Sequence, residues 1–231
     1  MSKRAIFLLF YLAITQTHFA QDLKTFKVNP GEKVYDIITP ADRYAFNDFQ
    51  IGQGFFKSNT VGTARMNYNA LIASIEYIDE KGDTLTLDKP ENFKHIIIAS
   101  DTFFYDKVYL EQLARAGNII LGRFWVIMIS NHQRLGSMGQ PTDASVDAFT
   151  SLSSSGNPLK TMVAKEVLTY KENIRYYFGD KFGQFRIANK KNLLAVFGNN
   201  KNQITAYLEE NKVDFLKEAD MLRLLDFLSR L

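Results

Sequence analysis

The sequence contains no cysteine, and this absence removes several classes of protein at once. Disulfide scaffolds, thiolate zinc sites, cysteine nucleophiles, iron–sulfur clusters and a lipid-modified N-terminal cysteine are all excluded. Histidine is scarce as well, because only His95 and His132 follow the N-terminal segment that contains the third. Two histidines cannot form a histidine-rich metal site. We assign no catalytic, cofactor-binding or metal-binding residue.

Long uncharged hydrophobic runs are also missing after residue 20, so no transmembrane span is predicted in the mature chain. Hydrophobic residues nevertheless make up 46% of the sequence, and aromatic residues make up 13%. This composition is sufficient for a packed core and excludes a wholly disordered chain.

Residues 1–20 have the pattern of a signal peptide. Lys3 and Arg4 form a positive start, an apolar run of about ten residues follows, and Ala20 offers a small residue for cleavage. The run is half the length that a bilayer span needs, which favours a cleaved leader over an anchor. We therefore expect a mature chain that is periplasmic, outer-membrane-associated or secreted.

The net charge of +3 does not indicate nucleic-acid binding. Without Lys3 and Arg4, 26 basic residues face 25 acidic ones, so the mature chain carries +1. The charge is uneven, however, because residues 160–201 contain nine basic and three acidic side chains. That segment is a candidate contact for an anionic envelope component, with a solvated surface as the alternative. The candidate residues are Arg175, Lys181, Arg186, Lys190 and Lys191.

The body of the chain is rich in alternating polar and apolar residues, which predicts β-strands. Residues 84–87 alternate after a turn at Gly82, as in a hairpin. The run 119–129 is almost continuously apolar and predicts a strand buried on both faces, with a bulge or bend at Gly122 and Arg123. We expect antiparallel strands in a meander or sandwich over about 25–130 that return over about 162–187.

Two further segments differ from this strand pattern. Residues 131–160 are rich in glycine, serine and proline and predict a long flexible loop. Residues 188–231 change to a helical period, with Asn189 able to cap a first helix. The predicted organisation is a signal peptide (1–20), a β-rich domain (21–187) and a C-terminal helical segment (188–231) packed on the sheet. The fold class is mainly β, or α+β.

One loop invites a catalytic hypothesis, because His132 is followed by Ser137, Asp143 and Asp147. A serine nucleophile needs a histidine base held by a rigid turn, and the glycines beside Ser137 have the wrong spacing for a nucleophile elbow. An envelope hydrolase that uses carboxylates or the 132–147 loop therefore stays the alternative hypothesis. Aromatic residues interleaved with the basic ones at 174–186 resemble a nucleic-acid platform, but export argues against it.

Three sequence stretches and the C-terminal end carry a resemblance. The stretches are Arg43-Tyr44-Ala45-Phe46-Asn47-Asp48-Phe49-Gln50-Ile51-Gly52-Gln53-Gly54, Met66-Asn67-Tyr68-Asn69 and the turn Gly82-Asp83-Thr84-Leu85. The end runs from Lys190-Lys191-Asn192-Leu193-Leu194-Ala195-Val196-Phe197 through Asn211-Lys212-Val213-Asp214-Phe215 to the final leucine-rich helix. With these motifs the chain resembles a group of uncharacterised secreted proteins of Bacteroidetes-type Gram-negative bacteria. The resemblance implies export and a β-rich body with a helical tail. It implies no reaction or cofactor.

These observations favour an exported cell-envelope protein that binds or scaffolds and is not an enzyme. Its expected partners are an envelope protein or an anionic envelope component, and nucleic acid is not expected.

Overall fold

The computed structural model describes residues 23–135, 141–144 and 158–231, so the predicted signal peptide lies outside the described residues. The strands are β1 (Thr25–Val28), β2 (Gln50–Phe56), β3 (Val61–Asn69), β4 (Ser74–Ile78), β5 (Thr84–Thr86), β6 (Phe93–Ile98), β7 (Asp101–Asp106), β8 (Val108–Ala116), β9 (Ile119–Leu135), β10 (Pro141–Ala144), β11 (Val167–Gly179) and β12 (Phe185–Ile187). The helices are α1 (Val34–Ile37), α2 (Pro40–Arg43), α3 (Lys190–Val196), α4 (Lys201–Glu210) and α5 (Glu218–Leu228).

All twelve strands belong to one antiparallel sheet, so the predicted mainly β fold with C-terminal helices is confirmed. The main strand order is β1-β11-β9-β8-β7-β6-β2-β3-β4-β5, and β10 and β12 pair with β9 and β11. The predicted hairpin at Gly82 joins β4 to β5, and Gly82 adopts the positive φ of 89° that this turn requires.

The sheet coils until strands that are far apart in its order meet. The Tyr68 hydroxyl on β3 donates to the Trp125 carbonyl on β9 at 2.6 Å, and the Ile127 amide donates to the Ala70 carbonyl at 2.9 Å. The coiled sheet encloses the larger of two apolar cores, which also receives Val34 and Ile38 from α1 and its C-terminal end. The side of the sheet that faces this core is called the inner face.

Two glycines of β2 fit the inner face closely. A Cβ atom at Gly54 would overlap the Phe93 ring, and one at Gly52 would lie 2.9 Å from the Met66 sulfur. The Gly-Gln-Gly part of the resemblance motif is therefore a packing requirement. It lets large side chains of neighbouring strands pass over β2.

The C-terminal helices pack on the inner face at the other end of β8, β9 and β11, around a second core that includes Tyr176, Leu224 and Ile204. As predicted, Asn189 caps α3, and its side chain accepts the Asn192 amide at 2.8 Å. None of the helices in the described ranges is both long and apolar enough to cross a bilayer.

The flexible loop expected at 131–160 is corrected where the structure describes it. Strand β9 continues through Leu135, and β10 pairs back on it at residues 141–144. Residues 131–133 also pair with β11, so hydrogen bonds on both sides override the loop-like composition. Residues 136–140 and 145–157 lie outside the described residues.

Two predictions about the apolar run 119–129 are corrected. The bulge expected at Gly122 and Arg123 lies in the partner strand, because the register shifts between Gln112 and Ala114 opposite Gly122. Burial on both faces holds only at the start of the run, where Ile120 is 1% and Leu121 is 0% exposed. Farther along, Ile127 is 2% exposed and its neighbour Met128 is 44% exposed, because none of the described helices covers the opposite side of β9 here.

Candidate interaction surface

The opposite side of the sheet, called the outer face, carries apolar side chains. Because strand residues alternate between faces, it is identified by positions next to buried ones. His95 is adjacent to the buried Ile96, Phe104 to the buried Phe103, and Met128 to the buried Ile127. Further outer-face positions follow from the strand register: Ile51, Phe55, Ile97, Leu110, Phe124 and Val126.

Four aromatic rings, called the aromatic row, cross the outer face in contact. Phe55 stacks on His95 with ring centroids 4.5 Å apart and an interplanar angle of 20°. His95 lies 6.1 Å from Phe104, and Phe104 lies 5.5 Å from Phe185. Burial among these rings, together with the charge of Lys94, lowers the pKa of His95, which favours its neutral form near pH 7.

The hairpin formed by β11 and β12 folds Phe185 over the outer face. The Phe185 ring fills the space above two glycines, since a Cβ at Gly122 would lie 3.2 Å from it and a Cβ at Gly179 would overlap it. The Phe185 amide donates to the Asp106 carboxylate at 2.9 Å. The ring covers Leu110, which is fully buried, but does not close off the outer side of β9 farther along, where Phe124 and Val126 are partly exposed and Met128 is exposed.

Basic residues border this apolar surface. Arg65 lies opposite Ile51 in the strand register, Arg175 lies opposite Phe124, and Lys171 lies opposite Met128. All three are exposed. The Asp106 carboxylate also lies on the outer face, where it accepts the Phe185 amide. The outer face thus combines an apolar centre with cationic margins.

The five basic residues selected from the sequence do not form one patch. Arg175 lies on the outer face, as its alternation with the buried Tyr176 predicts. Arg186 pairs with Phe178, whose side chain joins the second core, so Arg186 lies on the inner side of its hairpin. Lys181 lies in the turn between β11 and β12, and Lys190 and Lys191 begin α3. Lys190 also forms an ion pair with Glu209 at 3.3 Å.

For the catalytic hypothesis on residues 132–147, the described residues bring together one pair of titratable side chains. His132 Nδ1 lies 3.1 Å from the Glu166 carboxylate just before β11. The register places Asp143 opposite Gln133 and Ala144 opposite His132. Ser137 and Asp147 lie outside the described residues.

Sequence reasoning missed a buried polar cluster around Glu76, whose side chain is fully buried. Its Oε2 accepts hydrogen bonds from the Tyr44 hydroxyl at 2.7 Å and the Asn69 amide at 2.8 Å, and its Oε1 lies 3.6 Å from the Lys160 ammonium. Burial and the Glu76 carboxylate raise the pKa of Tyr44. The sequence feature that could have indicated this cluster is the pair of motifs Arg43-Tyr44 and Asn67-Tyr68-Asn69.

The same motifs explain how the cluster is assembled. The backbone of Tyr44 bridges to Asn69, and the Arg43 guanidinium lies 4.2 Å from the Tyr35 ring centroid while donating to the Ile38 carbonyl at 2.6 Å. Asn67 binds the Phe46 amide and carbonyl at 3.1 and 2.7 Å. The cluster therefore fastens the segment before β2 onto β3.

No deep pocket with converging titratable groups is found in the described part of the chain. Two shallow surface depressions measure about 290 and 240 Å³. The first is lined by residues 196–200 and contains no titratable side chain, and the second exposes the Asp226–Arg230 ion pair of α5. Among the described residues, no group of three or more histidine, aspartate or glutamate side chains converges as metal ligands.

Comparison with known proteins returns no match for this chain among protein-family models, curated proteins or solved structures.

Proposed function

We propose that this chain is an exported protein of the cell envelope that binds a partner protein through the outer face and is not an enzyme. The proposal includes cleavage near Ala20, a periplasmic, outer-membrane-associated or secreted mature chain, and kinship with the secreted Bacteroidetes-type proteins it resembles. The observation that carries the binding function is the apolar outer side of β9 from Phe124 to Met128, which stays partly or fully exposed.

Part of the hydrophobic surface of the apolar run in β9 stays exposed to solvent. A strand with one solvated face ordinarily alternates apolar and polar residues. Beyond Gly122, the next outer positions of β9 are Phe124, Val126 and Met128, which is the composition of a strand covered on both sides. Apolar patches of this kind, with a polar border, mark protein contacts. A partner that covers the outer face accounts for this composition.

The chemistry of the outer face favours a protein over a glycan. Sugars stack on the flat faces of exposed aromatic rings, but Phe55 and His95 turn their faces toward each other. The centre offers apolar side chains, and the margin offers Arg65, Lys171 and Arg175. The complementary surface is an apolar patch of a protein bordered by aspartate or glutamate.

The recognisable motifs support a structural interpretation as well. Gly52 and Gly54 make room for Met66 and Phe93, and Asn67 and Asn69 hold backbone and the Glu76 carboxylate. Each of these residues is used in building the fold.

Site-specific photo-crosslinking tests the binding proposal. A photoreactive amino acid is placed at Met128 on the outer face and, as a matched control of similar exposure, at Val196 in α3. In cells that make the protein, we expect a discrete crosslinked protein from position 128 and none from position 196. Substituting Phe124→Glu should abolish that product without lowering the melting temperature.

Equal crosslinking from both positions, or none from position 128, would contradict the outer-face assignment. A product with twice the mass of the chain would identify a second copy as the partner.

Export has a separate test, since N-terminal sequencing of protein from envelope fractions should begin near Gln21. Intact Met1 on cytoplasmic protein would reject export.

A further inference from the structure

A second apolar feature stands apart from the outer face, at the tip of the β11–β12 hairpin. Phe182 is 76% exposed, the highest exposure among the large apolar side chains of the described residues. It lies in the turn of residues 180–184. A phenylalanine held this far into solvent gains nothing from the protein's own core.

The turn that presents Phe182 is well fixed. The Asp180 carboxylate accepts the backbone amides of Phe182 at 2.8 Å and Gln184 at 3.0 Å. Gly183 supplies a φ of 76°, and the Gly183 amide donates to the Asp180 carbonyl at 3.1 Å. Below the turn, Phe185 anchors the hairpin in the space above Gly122 and Gly179. The tip is therefore a preorganised projection.

One cation lies directly at this projection, and two more follow it closely in the chain. The Lys181 ammonium lies 5.0 Å from the centre of the Phe182 ring. Arg186 and Lys191 follow in β12 and α3, and both are exposed. Among the described residues, Lys181, Arg186 and Lys191 form no ion pair, whereas Lys190 pairs with Glu209. The Asp180 carboxylate is the one acid between residues 179 and 191.

We propose that the hairpin tip docks the protein on an anionic phospholipid surface, with Phe182 entering the interface and Lys181, Arg186 and Lys191 contacting headgroups. This surface is distinct from the outer face, and the inference does not depend on the partner proposed there. It deepens the expectation of an anionic envelope component.

The combination of groups fits a reversible membrane contact. A single short apolar anchor binds a bilayer only marginally, and a second signal such as a basic patch makes the attachment useful. Each cation near an anionic surface strengthens binding about fivefold, and this contribution falls as salt screens it. Phe182 and Lys181 supply both signals at the tip, and the unpaired Arg186 and Lys191 in β12 and α3 are the further cations of this segment.

Vesicle sedimentation tests the proposal with the mature chain from Gln21. The probes are vesicles of mixed phosphatidylglycerol and phosphatidylcholine, and vesicles of phosphatidylcholine alone. We expect binding to the anionic vesicles that weakens as salt rises, and little binding to the neutral ones. Phe182→Ser should weaken binding about tenfold, and Lys181→Gln with Arg186→Gln should weaken it more than tenfold.

Matched controls separate the tip from general charge and hydrophobicity. Leu216→Ser removes another apolar side chain of similar exposure, 65%, and Lys57→Gln with Lys81→Gln removes two exposed cations from other hairpin turns. Both controls should bind like the unchanged protein. Circular dichroism should show that every variant is folded.

The absence of cysteine allows a direct measure of insertion. An environment-sensitive dye on Phe182→Cys should shift its emission to the blue with anionic vesicles, and the same dye on Leu216→Cys should not. No binding to anionic vesicles, equal binding to neutral ones, or binding unchanged by both tip variants would overturn the proposal. Crosslinking from Met128 would be unaffected by any of these results, so the two proposals fail separately.

Discussion

The hydroxyl of Tyr68 donates a hydrogen bond to the backbone carbonyl of Trp125 at 2.6 Å, which joins two strands that are five places apart in the sheet. The pairing of β8 with β9 ends at Glu111 and Arg123, so the backbone of β9 beyond that point loses its β8 partner. In place of β8, the Tyr68 hydroxyl donates to the Trp125 carbonyl, and the Ala70 carbonyl accepts the Ile127 amide. A side chain thus completes the hydrogen bonding where the ladder stops.

Replacing Tyr68 with phenylalanine should lower the free energy of unfolding by about 1–3 kcal/mol, because the partly buried Trp125 carbonyl would lose its donor. Urea unfolding monitored by circular dichroism measures this change. Tyr77→Phe is the control, since Tyr77 lies on the neighbouring strand and its hydroxyl makes no hydrogen bond within the described residues. A loss equal to that of the control would mean that the Tyr68 bond does not stabilise the coiled sheet.

Gly179→Ala should destabilise the protein, because the added methyl group would overlap the Phe185 ring. Overpacking of this kind costs about 1–3 kcal/mol. Phe185→Ala removes the ring, so the double variant should lose less than the sum of the two single losses. Thermal and urea unfolding of the four proteins give the coupling energy. Additive losses would show that Phe185 does not occupy the space above Gly179.

Local patterns predicted several elements because short-range physics determines them. Asn189 caps α3 through its own side chain, and Gly82 turns the β4–β5 hairpin through its positive φ. The closure of β3 onto β9 could not be predicted, because it depends on how far the whole sheet coils. Pairing of residues 131–133 with β11 likewise overrode a loop-like composition.

The candidate surfaces were only partly visible in the sequence. The basic segment could be identified, but its charge alone could not show that Arg175 and Arg186 lie on opposite sides of the sheet, because that depends on the β11–β12 register. The apolar run of β9 predicts burial on both faces. The structure buries both faces at Ile120 and Leu121 but leaves Met128 44% exposed, and this difference supports the proposed partner.

Buried tyrosines should make the protein sensitive to alkali. Burial raises the pKa of Tyr170 to about 12, and burial with the nearby Glu218 raises that of Tyr176 to about 12. Unfolded tyrosine ionises near pH 10. This stability contribution is therefore complete below about pH 10 and is lost as the pH rises toward 12. The free energy of unfolding should fall by up to about 1.4 kcal/mol per pH unit for each tyrosine in that window.

Tyr170→Phe provides the specific test of that pH dependence. The Tyr170 hydroxyl is buried and has no hydrogen-bond partner in the described ranges, so its removal should leave stability unchanged or higher at pH 8. Above pH 10 the variant should lose stability less steeply than the unchanged protein. Identical slopes in urea titrations from pH 8 to 11 would reject the assignment to Tyr170.

Arg123 joins the sheet to the C-terminal helices through two carboxylates. Its guanidinium lies 2.7 Å from Glu111 on β8 and 3.5 Å from Glu218 at the start of α5. The Arg123 and Glu111 side chains are 27% and 17% exposed, so their pair is largely shielded from water. Burial raises the pKa of Glu111 even though Arg123 opposes that shift.

Arg123→Met should lower stability at pH 7 by about 2 kcal/mol, below the ~3–5 kcal/mol of a fully buried pair because water reaches part of this one. Without Arg123, the pKa of Glu111 rises further above its unfolded value. The neutral form is then favoured in the folded protein, so stability is retained at pH values below the unfolded pKa and lost as the pH rises. The variant should therefore be closer to the unchanged protein at pH 4 than at pH 7.

Arg123→Met with Glu111→Gln should recover most of the loss at pH 7, because no unpaired charge stays buried. A loss that is equal at both pH values, with no recovery in the double variant, would mean that Arg123 stabilises the molecule through packing of its methylene groups on α5 and not through Glu111.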